Sequence, residues 1–302
     1  MNINILEESI PRIASFLQAN LNIIKEVPRP NFISLDTLER QILLYIPRLF
    51  TDSHKPTPNE FKGEIKRIIN ILQDKIEPFK DFLGPPSNPP RSIKEMVFSI
   101  IDAPIAKIIH ERFHYLGSFR NDGIHLGFRS QDEDKVISLI TLSPFDLDHI
   151  YPYVPTGVSI SEIMVVSRIY SFDWSPRNTI SYMLKRTNQF LYENHRNIKM
   201  LITYLNPNIG FTGSSYKASG WNLFGKEGGT RYSYLDGNYI TDRELVKIFG
   251  TSASDVLINK EPNRFEVTKI NLAPLSIFSF FRYKKLLYNN PNLPNNIFMR
   301  PL

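Results

Sequence analysis

The chain has 302 residues, 42% hydrophobic and 22% charged, with 36 Lys and Arg against 30 Asp and Glu and no cysteine. That apolar content supports a folded core and excludes a wholly disordered chain, and the length predicts two domains or one with a large appendage. The missing cysteines exclude disulfide frameworks, Cys zinc sites, Fe–S clusters and thiol nucleophiles, while a net charge of +6 admits a polyanionic partner.

Glu7 and Glu8 stand where a secretory signal would be basic and then apolar. The longest uncharged apolar stretch, residues 270–281, falls short of the ~20 residues of a membrane helix. The expectation is a cytoplasmic protein with no membrane partner. Helical periodicity comes first along the chain. Leu17, Leu21 and Ile24 share one face. Leu38, Ile42, Leu43, Ile46 and Leu49 share a second, capped by Ser34 or Asp36. Phe61, Ile65, Ile68, Ile69, Leu72 and Ile76 share a third, entered through Thr57-Pro58 with Glu60 in the first turn. Residues 1–91 carry 12 basic and 11 acidic side chains and read as a helical domain ending in a Pro-rich linker, GPPSNPPR.

The periodicity then changes. Strands are expected at 96–101, 124–128, 136–142 and 158–170, with a helix over 103–115 after the first. A second helix is expected to start with Ser175 as cap and Pro176 in its first turn. A central strand follows at 200–205, then a short helix over 211–218 ended by Gly220. A hairpin of 221–224 and 231–235 is expected through Gly228-Gly229. Residues 92–250 thus read as a mixed α/β (α+β) sheet of about seven strands flanked by helices, with a last helix at 241–249. Residues 251–302 read as a strand near 265–270 and a basic, aromatic extension.

Polar residues gather in three windows: His114-Tyr115-Leu116-Gly117-Ser118; Arg168 followed by residues 173–181; and Asn206 through Trp221. The helix start at Ser175, Arg177 and Asn178 suits a phosphate or carboxylate of a cofactor, or is ordinary capping. His114 suits proton transfer near neutral pH, or caps its helix. Tyr216 offers a phenol beside a strand end where ligands bind, or packs its ring. His110 and His114 stand one turn apart, a spacing that admits a shared metal but lacks the Glu of HExxH. Arg186, Lys217, Trp221, Lys284 and Lys285 are candidate nucleic-acid contacts, basic and aromatic together.

Together the windows resemble the Mom family of phage DNA-modification proteins, a divergent branch of the GCN5-related N-acetyltransferase (GNAT) superfamily. The resembling residues are His114-Tyr115, Arg168 with Ser181 thirteen residues on, and the block LITYLNPNIGFTGSSYKASGW at 201–221. The HYLGS and YKASGW strings also resemble blocks in Druantia defence proteins and transposon-associated domains. The resemblance implies a GNAT-like sheet and conversion of adenine in DNA to an N6-carbamoylmethyl or isomeric derivative that blocks restriction. It places Arg168, Ser181, Asn206 and Tyr216 at functional positions, with His114 and Tyr115 as the family's His-Tyr pair. Tyr216 stands where many of the superfamily protonate a departing coenzyme A thiolate. An acetyl-CoA or related acyl donor and iron are the implied cofactors, and DNA the implied partner. The chain departs from the family in carrying Asn206 where Asp is usual, and from ordinary acetyltransferases in lacking a Gly-rich pyrophosphate loop. Two rivals follow from the same residues: a GNAT-type N-acyltransferase acting on a protein, aminoacyl-tRNA or small amine, and a non-catalytic DNA-binding subunit of a defence or mobile-element system.

Overall fold

A computed structural model describes residues 15–50, 54–206, 211–227, 231–235, 238–251, 256–257, 265–271, 275–282 and 298–299. The N-terminal helices are α1 (Leu21–Glu26), α2 (Leu35–Tyr45), α3 (Pro58–Ile76) and α4 (Lys80–Leu83). Ser34, not Asp36, caps α2, its hydroxyl accepting from Thr37 N at 2.9 Å. Thr57 and Glu60 form the reciprocal capping box that starts α3, an arrangement worth ~1 kcal/mol.

Then follow β1 (Met96–Ile100), α5 (Ala103–Ile108), β2 (Ile124–Ser130), β3 (Val136–Pro144), β4 (Ile163–Ser171), α6 (Thr179–Asn194), β5 (Met200–Leu205), α7 (Ser214–Ala218), β6 (Asn222–Glu227), β7 (Arg231–Leu235), β8 (Asn238–Thr241), α8 (Asp242–Phe249), β9 (Phe265–Asn271), β10 (Leu275–Phe281) and β11 (Phe298–Met299). The main sheet runs β1-β2-β3-β4-β5-β10-β6-β11, and β8-β7-β9 form a second. The expected mixed sheet with flanking helices and an N-terminal helical region is therefore present. Seven strands make its body, and the two-residue β11 extends one edge.

Four local expectations are corrected. Residues 158–162 are not strand: Ser159 and Glu162 form a capping box around a 3-10 turn, Ile160–Glu162, before β4. Helix α6 begins at Thr179 rather than after Ser175, with Asn178 left-handed (φ 68°) before it. The short helix starts at Ser214 behind left-handed Gly213. Strands β6 and β7 do not pair, because β10 lies antiparallel to β6 and β7 pairs with β8 and β9.

Alternation along β5 explains its continuous apolar run. Leu201 and Leu205 face α6 and α7 with Met183, Leu184, Leu191, Trp221 and Phe278. Met200 and Ile202 face the other way, against Phe145, Ile150, Ile277 and Phe281. A third cluster joins Leu38, Ile42, Phe61, Ile65 and Leu72 of the N-terminal helices to Ala106, Ile109, Phe113, Leu139 and Phe172. The Pro-rich segment lies on the β2–β3 turn, where Pro85 O accepts from Lys135 Nζ and Ser87 N donates to Glu133.

Candidate active site

Strands β4 and β5 run parallel only from Ile163–Val166 against Met200–Thr203. Beyond Val166, β4 continues against β3 alone, while Tyr204 and Leu205 pair with β10. The two central strands diverge and open a wedge in the sheet. A bulge sharpens it: Thr141 faces Arg168 and Leu142 faces Val166, so Ser167 is the extra residue. Its hydroxyl lies 2.7 Å from Ser143 Oγ and donates to Thr141 O at 3.2 Å. Bulges bend a strand and re-aim the side chains beside it. The one re-aimed here is Arg168.

On one face, α5 widens into a π turn, Ile109–Phe113, closed by His114 N donating to Ile109 O at 3.0 Å. Such turns concentrate at functional sites. It delivers His110 and His114 side by side, ring centroids 5.9 Å apart. His114 Nδ1 accepts from Leu116 N at 3.2 Å, and a bond to the Ile169 backbone engages the ring as well. Burial, then the charge of Arg168, then His110 hold its pKa well below the usual imidazole value; the Ile169 bond pulls weakly the other way. His114 is thus a neutral ring that fixes the 114–118 loop, not a free proton shuttle. Arg168 holds the far end of that loop, donating from Nε to Ser118 O at 3.2 Å and from Nη2 to Ser118 Oγ at 2.8 Å; Nη1 donates to Ser167 O at 2.6 Å. Burial lowers its pKa somewhat, Tyr115 opposing and Arg120 adding to the effect, yet guanidinium stays charged. No carboxylate pairs with Arg168 among the described residues. A half-buried cation with two N–H still to give is an anion or carbonyl holder.

Sequence reading missed what lies beneath. His110 Nε2 and His125 Nδ1 both meet Thr141 Oγ1, at 2.7 and 2.9 Å, and all three residues are buried. The hydroxyl has one proton, so at least one ring donates to it. Burial first, then Arg168 and His125, depress His110 to about 3; burial alone depresses His125. Gly123 makes room for the pair, since a Cβ there would stand 2.5 Å from Thr141 Cγ2. The sequence signal was the HxxxH spacing, whose first histidine belongs to this network. Among the described residues no group of three His, Asp or Glu could hold a metal; the ring nitrogens of His110 and His125 that do not face Thr141, Nδ1 and Nε2, are buried without a hydrogen-bond partner there.

On the other face, Tyr216 of α7 meets Thr203, the last β5 residue paired with β4, through hydroxyls 3.4 Å apart. Thr203 Oγ1 in turn donates to Val166 O at 2.8 Å. The Tyr216 ring stacks on Phe278 and meets Trp221 edge-on, centroids 5.8 and 5.2 Å away. Burial pushes its phenol up to about 12, against a small opposing effect of Thr203. The phenol at the vertex of the wedge therefore stays protonated and can give a proton. Asn206, just past the end of β5, is buried. Three serines bind α7 to the first turn of α6: Ser181 Oγ reaches Ser215 O at 3.4 Å, and Ser219 Oγ reaches Ser181 O at 3.2 Å. Arg177 and Asn178 are exposed at that turn. The N–H groups of Ile180 and Ser181 have no partner among the described residues, leaving donors for an anion. Ser175 is not among them: its hydroxyl donates to Ile137 O at 3.0 Å and accepts from Ser171.

Two aromatic residues reach across the mouth. Trp174 stacks on Phe172 at 4.5 Å. Phe211 packs against Tyr115 at 5.7 Å, and Arg40 of α2 lies over it, 4.1 Å from the centroid. The helical N-terminal region thus touches Phe211 beside Tyr115, a contact that lies far outside any local motif. The proposed nucleic-acid residues scatter. Arg186 packs over Phe98 of β1, Lys217 is exposed on α7, and Trp221 is buried against Tyr216. Lys284 and Lys285 lie outside the described residues.

No curated protein matches the chain by sequence. Among solved structures it is similar to the spermidine/spermine N-acetyltransferase SpeG of Vibrio cholerae, with 9% identity and a TM-score of 0.35 over 65% of this chain and 98% of that one. It is also similar to the ribosomal-protein-S18-alanine N-acetyltransferase of Escherichia coli, with 11% identity and a TM-score of 0.34 over 62% and 93%. A third is an N-acetyltransferase of Staphylococcus aureus Mu50, with 8% identity and a TM-score of 0.36 over 62% and 98%. The Mom protein family matches residues 95–289, a span holding the wedge, His114, Arg168 and Tyr216. The chain belongs to the Mom protein family.

Proposed function

We propose that this protein is a DNA-modifying transferase that joins an acyl-type or carbamoylmethyl group to the N6 amine of adenine. The observation that carries the reading is the wedge itself, in a chain of the Mom family. A cation without a carboxylate partner stands on one face, and a protonated phenol at the vertex on the other. Transfer to an amine needs both. Arg168 draws charge on the carbonyl oxygen as the tetrahedral centre forms. For an acyl-type group the N6 nitrogen bonds to the carbonyl carbon; for a carbamoylmethyl group it bonds to the methylene carbon beside the carbonyl; in either case the bond from that carbon to the leaving group breaks and the Tyr216 proton passes to the leaving atom. The proton lost from N6 goes to water and restores the phenol. Asn206, an amide, has no basic lone pair with which to take a proton and orients by hydrogen bonds.

The N–H groups of Ile180 and Ser181, with Arg177, fit the phosphates of an acyl-CoA donor, which when bound supplies an activated acyl carbon. In a duplex the N6 edge is paired, so the base is extruded or met in a single strand. Tyr216→Phe tests the reading. Co-expression with a plasmid and nucleoside mass spectrometry should show modified adenine falling ~10²-fold or more. The ring contacts, and so the thermal midpoint, should be kept. Unmodified adenine with soluble wild-type protein would sink the proposal.

A further inference from the structure

The transfer leaves one proton without a side chain to take it, that of the N6 nitrogen. Strand alternation decides where such a side chain must stand. Thr203 turns toward Tyr216. Tyr204, the first β5 residue past the vertex, turns to the other face with Met200 and Ile202. Arg168 lies on that face too, because its partner Thr141 stands between Ile140 and Leu142, which face α6. Tyr216 therefore reaches the wedge from one face and leaves the other to the amine, between Arg168 on β4 and Tyr204 on β5. The histidines beside Arg168 are committed, His110 and His125 to Thr141 and His114 to its loop. His149, on the connection after β3, is placed differently. Its Nε2 lies 3.1 Å from Tyr204 Oη and 3.1 Å from Glu227 Oε1. Glu227 ends β6, where Leu275 of β10 and Met299 of β11 flank it. An ionised carboxylate only accepts, so the proton of the neutral ring sits on Nε2 and is shared between the two oxygens. Nδ1 then carries the basic lone pair. It meets no hydrogen-bond partner among the described residues, and the side chain is 35% exposed. Asp146, on the same connection, is taken by Arg120 at 2.9 Å.

We infer that His149 is the general base of the transfer. As the bond from N6 to carbon forms, Nδ1 takes the N6 proton, directly or through one water, and passes it to solvent. Glu227 and Tyr204 are positioning residues. They fix the ring through Nε2–H, and the carboxylate faces the charge that the ring gains. Imidazole suits this step near neutral pH, and a carboxylate on its far nitrogen is the arrangement that orients such a base. Base and acid then work from opposite faces of the sheet, His149 on the amine and Tyr216 on the leaving atom. The inference rests on the adenine-N6 reading and supplies the base which that reading lacks.

The test is co-expression of the full chain with a plasmid, read by nucleoside mass spectrometry. His149→Gln should lower modified adenine ~10²-fold or more. Glu227→Gln should lower it at least ~10-fold, since an amide does not offset the charge of the ring; Tyr204→Phe should cost less. His54→Gln, at a second His–Glu pair outside the sheet, is the control and should change nothing. His149 reaches solvent, so the thermal midpoint should hold in its variants. Rescue separates a base from a merely structural residue. In clarified lysate of His149→Ala cells given unmodified plasmid, added imidazole should restore modification. In protein carrying isotope-labelled histidine, magnetic resonance should find His149 as the Nε2–H tautomer; an Nδ1–H tautomer would overturn the inference whatever the acceptor. Full modification in His149→Gln beside an active wild type, or a loss that imidazole does not restore, would overturn the inference and keep the DNA reading. No modified adenine with soluble wild-type protein would remove that reading, and this base with it.

Discussion

Three histidines crowd the interior beside Arg168, and all are held neutral. Unfolded, each takes a proton near pH 6.5; folded, His110 does so only near 3, and His114 and His125 are likewise depressed. Between these values the unfolded chain binds more protons than the native one, so stability rises with pH. It is full above about pH 6.5 and is lost as pH falls, by at most ~1.4 kcal/mol per unit per histidine. Urea midpoints at pH 8 and pH 5 should show this loss, and His110→Gln should make it shallower; an unaltered slope would contradict the depressed His110. At this scale the sequence was partly legible. His114, Arg168 and Tyr216 stand in recognisable strings. Thr141 and His125 do not, because a buried relay is built from strands distant in sequence, and each residue alone looks ordinary. Ser175 misled for a related reason: a capping residue before Pro is a sound local signal, yet a carbonyl of β3 claims its hydroxyl.

Elements were legible where the signal was local. Helix α3 announced itself by its cap and apolar stripe, and β5 by its unbroken apolar run. Strand β10 was not recognised, since its apolar run follows Pro274 and its partners lie about 50 to 80 residues earlier. That omission turned β6 and β7 into an apparent hairpin. The short α7 depends on Gly213, whose φ of +75° suits glycine and whose Cβ position is 2.7 Å from the Phe278 ring. Gly213→Ala should cost at least ~2 kcal/mol, from left-handed backbone and overpacking together. Chemical denaturation measures the loss. A change under ~0.5 kcal/mol would mean that α7 is not held against β10 as described. The same variant should bring the Tyr216 phenol down from about 12, because a displaced ring regains water. Alkaline difference spectra follow that shift.

For the whole molecule, the family span begins at residue 95, but the fold does not. Ala106, Ile109, Phe113, Leu139 and Phe172 share one core with the N-terminal helices. Exposing a large apolar side chain costs ~1.5–3 kcal/mol, and a handful is comparable with the ~5–15 kcal/mol that holds a domain together. Residues 92–302 expressed alone should therefore bind hydrophobic dyes and lack a cooperative melt. A sharp thermal transition in that fragment would show the helices to be dispensable. Length led to an expectation of two parts, and the Pro-rich stretch suggested where to divide them. It could not foretell a common core, because apolar periodicity shows that a face is buried without naming what buries it.

The place of β10 has a consequence for how the protein is made. This strand, made about 50 residues after β6, lies between β5 and β6 and carries the ring on which Tyr216 stacks. At ~5–20 residues per second, translation delivers the whole wedge many seconds before its final wall. Until the ribosome has released that strand, β5 and β6 are unclosed edges and Tyr216 has no support. A nascent chain that lacks this strand is thus expected to leave the Tyr216 phenol open to water, and the transfer proposed above would wait for β10 to close the sheet.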